Sequence, residues 1–207
     1  MPSSDRWPLA LLIAFAVVFV ALGIAPRYRQ DWMLENLLVL VAVPLLVVTH
    51  RRLRFSNFAY GCLFLFLVLH EVGAHYTYSE VPWRDWLAAL TGGDGADQAG
   101  RNHYDRVVHF AYGLLLMPAV RELMAARMPA QGLWIWLMPV LFVMSHSVIY
   151  ELVEWVAAVV FGGELGVAYL GTQGDEWDAQ KDMALAAAGA VCGLLLTELR
   201  GAVTGKG

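Results

Sequence analysis

The sequence predicts an all-α fold: a polytopic membrane helical bundle with about six transmembrane helices, forming a single domain over residues 1–207. Three observations predict it. Apolar residues make up 59% of the chain and charged residues only 15%, whereas a soluble domain is roughly one quarter charged. Mean hydropathy is +0.56. Six separate stretches approach or exceed the ~20 mostly apolar residues that a spanning helix needs.

The first stretch runs from Trp7 to Ala25 and is ended by Pro26, which cannot continue a helix. It is too long for a signal peptide and has no cleavage site before Pro26, so we expect it to stay as a span. The second is Trp32 to Thr49, with Pro44 as a candidate kink. The third is Phe55 to about Tyr78. A polar connection from Ser79 to His103 follows, and its T-G-G-D-G-A-D-Q-A-G run reads as loop, with Trp83 and Trp86 at headgroup level. The fourth span is Tyr104 to about Met124, the fifth Leu133 to Phe161, long enough to tilt or protrude, and the sixth Trp177 to Leu199. The closing G-A-V-T-G-K-G reads as a frayed tail. No internal repeat or low-complexity segment is present.

Composition also excludes. There is no basic patch or stripe, so nucleic acid is not a partner; membrane lipids are. Cys62 and Cys192 sit inside apolar runs and are expected to be unpaired packing residues. The Arg51, Arg52, Arg54 cluster in a very short loop favours both termini in the cytoplasm of a bacterial inner membrane. In that orientation fifteen of the eighteen acids fall on the outer side, all but Asp5, Glu122 and Glu198.

Those outer acids are patterned. The third span carries H-E-V-G-A-H-Y, with Glu71 and His75 spaced i, i+4. The fourth opens with Asp105 and His109 at the same spacing. The fifth holds Ser147, Glu151 and Glu154 at i, i+4, i+7, and the sixth holds Asp178 and Asp182 at i, i+4 behind Asp175. Residues four apart share a helix face, so four successive helices each present an acid pair or an acid–histidine pair at similar depth.

Ionisable groups inside a span are costly and mark function, and several carboxylates cannot all stay charged in a low dielectric without counter-charge. The candidate cations are Arg106 and Lys181, each able to snorkel to water, and the histidines. A divalent metal would resolve the excess. Carboxylates with one or two imidazoles suit Zn, Mn, Fe or Mg, and facing pairs from neighbouring helices are how bundle metal sites are built. The candidate ligands are Glu71, His75, Asp105, His109, Asp178 and Asp182; Glu151 and Glu154 are the candidate catalytic carboxylates. Two plainer accounts compete: solvated interfacial acids for Asp105, Asp175 and Glu176, and an interhelical hydrogen-bond network including Tyr76 or Tyr112. His70 and His146 read as lone hydrogen-bonded histidines, His103 as a loop residue, and His50 as part of the cytoplasmic basic cluster.

These motifs carry a resemblance. Y-D-R-V-V-H-F-A-Y-G is similar to the D-K-x-x-H-F motif of VanZ-like membrane proteins, and Glu151, Glu154, Asp178, Asp182, Gly189 and Gly193 stand at that group's later positions, with Arg106 for Lys and Glu154 for Gln. The wider pattern of H-E-x-G-A-H-Y, Y-E-L-x-E-W and L-G-T-Q-G-D-x-W-D-x-Q-x-D-M, from about Asp31 to Leu196, resembles the YjdF-like family of bacterial inner-membrane proteins. That resemblance implies the architecture and the site positions, not a reaction. Three functions remain open on the residues: a metal-dependent hydrolase or transferase acting on a lipid or envelope substrate, a small proton- or cation-coupled transporter, and a structural or stress-related membrane protein without turnover.

Overall fold

The computed structural model describes residues 5–92, 100–163, 166 and 170–204. Asp94 and Asp97, two loop acids of the glycine-rich run, and the last three residues of the tail lie outside the described residues. Seven helices make up the described chain: α1 Arg6–Gly23, α2 Arg29–Thr49, α3 Asn57–His75, α4 Trp83–Thr91, α5 Tyr104–Arg127, α6 Trp134–Phe161 and α7 Asp178–Thr204. All except α4 are long and apolar enough to cross a membrane. The expected all-α bundle is thus the observed one.

Several bounds differ from expectation, α3 for one ending at His75 rather than near Tyr78. α2 begins at Arg29 rather than Trp32, which puts Asp31 inside the helix with Glu35 and Asn36; all three are buried. The Ser79–His103 connection contains a nine-residue helix, α4, that closes on Gly92 in the left-handed conformation (φ 69°). Its length lies far below a span and its charged first turn gives it no apolar run to notice. α7 continues to Thr204, because nothing in Gly201–Thr204 forbids the helix. Pro44 sits inside an unbroken α2.

α5 is the central element. It packs against α3, α6 and α7, while α1 and α2 pack mainly on α3. Met117, Val120 and Met124 of α5 form the core with Val143 of α6 and Ala190 and Leu194 of α7. Outward faces of α1, α2 and α6 carry exposed Val17, Val20, Leu40, Val41, Val48, Val159 and Val160, as a lipid-facing surface requires.

The α5–α7 contact is backbone against backbone. A Cβ on Gly113 would overlap the Ala186 carbonyl, one on Gly189 the Phe110 carbonyl, and one on Gly193 would lie 2.6 Å from the Leu114 carbonyl. Small residues let spanning helices approach this closely. At the end carrying Arg51–Arg54, polar ties join the helices: Ser56 caps α3 through Ala59 N–H (3.1 Å), its own N–H donates to Glu122 (2.7 Å), and Arg121 pairs with Glu198 (2.6 Å). The opposite end holds the acid-rich loops.

Candidate functional site

Three helices bring side chains to one point near that acid-rich end. α5 contributes His109 from its second turn, α7 contributes Asp182 from its second turn, and α6 contributes Glu151. One ligand atom from each lies within 4.8 Å of the others, and His109 Nε2 is 3.6 Å from Glu151 Oε1. Asp182 is 4% exposed. Asp182 Oδ1 and Glu151 Oε1 are buried and accept no hydrogen bond. An orphaned buried carboxylate oxygen is costly, and two of them facing one imidazole form a donor set suited to a divalent cation. The glycine contact between α5 and α7 fixes the spacing of His109 and Asp182.

A second trio surrounds it on the outer side. Asp105, Asp178 and Asp182 also bring carboxylate oxygens within 4.8 Å of one another. Here the charge on Asp105 and Asp178 is compensated. Arg101 donates to both Asp105 and Asp178 and to the Thr172 carbonyl. Arg106 pairs with Asp175 and approaches Asp178 at 3.6 Å, and Lys181 Nζ lies 2.6 Å from Asp175. Of the two candidate cations, Arg106 is largely buried and Lys181 half exposed, and Asp175 holds both, because it sits between them on the loop that enters α7. The hydrogen bond from Lys181, with those from the Trp177 backbone and Arg106, keeps the Asp175 carboxyl far below the usual carboxylate range. Gln173, at φ 50°, clips this loop to the chain before α5, accepting from Asn102 N–H (2.8 Å) and donating to its carbonyl (3.0 Å).

A third group lies deeper, toward α2 and α3. Tyr150 donates to Glu35 (2.9 Å), and Glu154 lies within electrostatic reach of both Glu35 and Glu151. Thr77 donates to Asp31 (3.0 Å). Glu71 is fully buried and neither of its carboxylate oxygens accepts a hydrogen bond. The Tyr78 hydroxyl meets His70 Nδ1 at 2.6 Å.

The expected ligands thus separate. His109, Asp182, Asp105 and Asp178 converge, with Glu151 as a fifth member and Glu154 beside it. Glu71 does not join them; it faces α2. His75 points elsewhere, its Nδ1 lying 2.7 Å from the Leu22 carbonyl of α1, because it is the last residue of α3 and packs where α1 ends. Sequence reasoning missed Asp31, Glu35 and Arg101. Asp31 and Glu35 repeat the i, i+4 acid spacing of the other helices, so the signal was present. Arg101 gives none, since its partner Asp178 is 77 residues away.

The model of a family described as "Predicted membrane protein (DUF2238)" matches residues 7–202. The Inner membrane protein YjdF of Escherichia coli (strain K12) is 33% identical over 184 residues, covering 86% of this chain and 83% of that protein. No solved structure matches.

Proposed function

The chain belongs to the DUF2238 family of membrane proteins, and from that premise we propose that it is a metal-dependent membrane enzyme whose cation rests on His109, Glu151 and Asp182. The observation that carries this reading is the convergence of the three side chains within 4.8 Å, with a buried, unpartnered oxygen on each carboxylate. One imidazole and two carboxylates leave coordination positions for water and substrate, so a bound Zn, Mn, Fe or Mg ion would supply Lewis acidity or an activated water. Glu154, one turn beyond Glu151 on α6, is the carboxylate available as general base. The exposed apolar faces around the site suit a lipid or envelope-linked substrate, and the reaction class is hydrolysis or group transfer.

The relative's printed name and the Arg51–Arg54 cluster support residence in the bacterial inner membrane with both termini cytoplasmic. The site then lies near the outer side. Reporter fusions at Gly207 and Gly95 should report opposite compartments, and an outward Gly207 would reverse the assignment. For the metal, the protein purified without chelator should carry a bound divalent ion, and chelation should lower its melting temperature. Substoichiometric metal with a melting temperature indifferent to chelator and to added Zn, Mn or Mg overturns the reading.

One observation favours a second reading, a proton- or cation-coupled carrier. Carboxylates continue from Asp182 and Glu151 through Glu154 to Glu35, which Tyr150 joins at 2.9 Å, as a relay across the interior would. Proton-coupled flux in liposomes, abolished by Glu35→Gln, would support it over the enzyme.

A further inference from the structure

Asp182 belongs to two groups at once. With His109 and Glu151 it forms the trio described above; with Asp105 and Asp178 it forms another, again with ligand atoms within 4.8 Å. In the second trio a single terminal nitrogen of Arg101 donates to Asp105 and to Asp178 together. That nitrogen stands between two carboxylates as a bound cation would. Arg101 is anchored further only by the Thr172 carbonyl among its described hydrogen bonds, and its Nε is buried with no acceptor. Arg106 is committed to Asp175 and stays 3.6 Å from Asp178. Asp182 closes the set: it is 96% buried, being 4% exposed, and its Oδ1 has no partner.

We propose that Asp105, Asp178 and Asp182 form a second divalent-cation site, joined to the first through the shared carboxylate of Asp182, and that the Arg101 guanidinium keeps it closed as an internal cation. Removing that guanidinium leaves three carboxylates around one point with Arg106, 3.6 Å from Asp178, as the remaining counter-charge, and a carboxylate shared between neighbouring cations is the arrangement of two-metal centres. The second site does not require the first to be filled.

The test uses the full chain purified in detergent, loaded with Mn(II) and freed of excess. The wild type should hold about one Mn per chain and Arg101→Gln about two, the two giving the spin-coupled resonance spectrum of ions ~3.5–4 Å apart. In Arg101→Ala, millimolar guanidinium should compete for the vacated position and return the count to one. The double variant His109→Ala/Arg101→Gln should keep one Mn at the aspartates. An Arg101→Gln protein that folds but binds no more Mn than wild type overturns the proposal, as does Mn retained in Arg101→Ala against guanidinium. Should Arg101→Gln or Arg101→Ala fail to fold alone, purification with Mn or guanidinium should recover it, and recovery by neither also overturns the proposal. A wild type without Mn beside a double variant holding one would leave this site standing and remove the first.

Discussion

The acids at one end of the bundle are handled in two ways. Asp105, Asp175 and Asp178 lie against Arg101, Arg106 and Lys181. A few ångströms deeper, Asp182, Glu151, Glu154 and Glu71 have no arginine or lysine at ion-pair distance among the described residues, and several of their oxygens accept no hydrogen bond. The outer group resembles a clasp: each charge has a partner, and the result is a fixed loop entering α7. The inner group carries the same chemistry without its counter-charge. Buried charge that stays unpaired is costly, so the contrast separates acids paired within the fold from acids left without a cationic partner among the described residues.

The largest expected effect breaks the inner group. Glu151→Gln, Asp182→Asn or His109→Ala should weaken metal binding by more than about 100-fold, the upper loss that a mere outer-shell partner gives, measured as metal retained per chain. Asp175→Asn, an outer change, should leave the metal in place. Equal loss from both would erase the distinction. Next, Gly189→Val should drive a side chain into the Phe110 carbonyl and cost ~3 kcal/mol, at the upper end of overpacking penalties, read as a lower unfolding midpoint in detergent.

A smaller effect sharpens the outer group. Asp175 has its carboxyl held below the ordinary value of 3.8, first by Lys181 and then by the Trp177 backbone and Arg106. A depressed folded-state value contributes stability that is present above the unfolded value and lost as pH falls below it. Thermal stability of the wild type should therefore decline as pH drops beneath the ordinary aspartate range, and Asp175→Asn should be lower at neutral pH and flatter across that window. The smallest effect belongs to Gln173→Ala. It removes two exposed hydrogen bonds to Asn102 and should cost at most ~1 kcal/mol, again from the unfolding midpoint.

The bundle itself was legible because spanning helices are written in long apolar runs, and the i, i+4 acids were legible because helical spacing is fixed by geometry. His109 and Asp182 met as their spacing allowed. What periodicity could not encode was direction. Glu71 and His75 share a face by spacing, yet α3 packs on both α1 and α2, so one turn of drift sent His75 to Leu22 and left Glu71 facing α2. Arg101 sits in a stretch that reads as loop, where no period predicts a partner across the bundle. Asp31 and Glu35 lay at the margin of an apolar run, where a span boundary and a buried pair look alike. α4 was hidden by its length, since nine residues barely exceed two turns.

The glycine contact between α5 and α7 has a consequence for ion choice. Backbones that already touch at Gly113, Gly189 and Gly193 cannot close further for a small ion, nor part for a large one without losing that seam. His109 and Asp182 ride on these two helices as the fixed jaw of a gauge. Glu151 rides on α6, whose contact with α5 involves no such glycine overlap among the described residues. On the proposed metal-binding reading, the radius of the cation would depend on where α6 holds Glu151, and substitutions along α6 remote from the ligands would change the preferred ion.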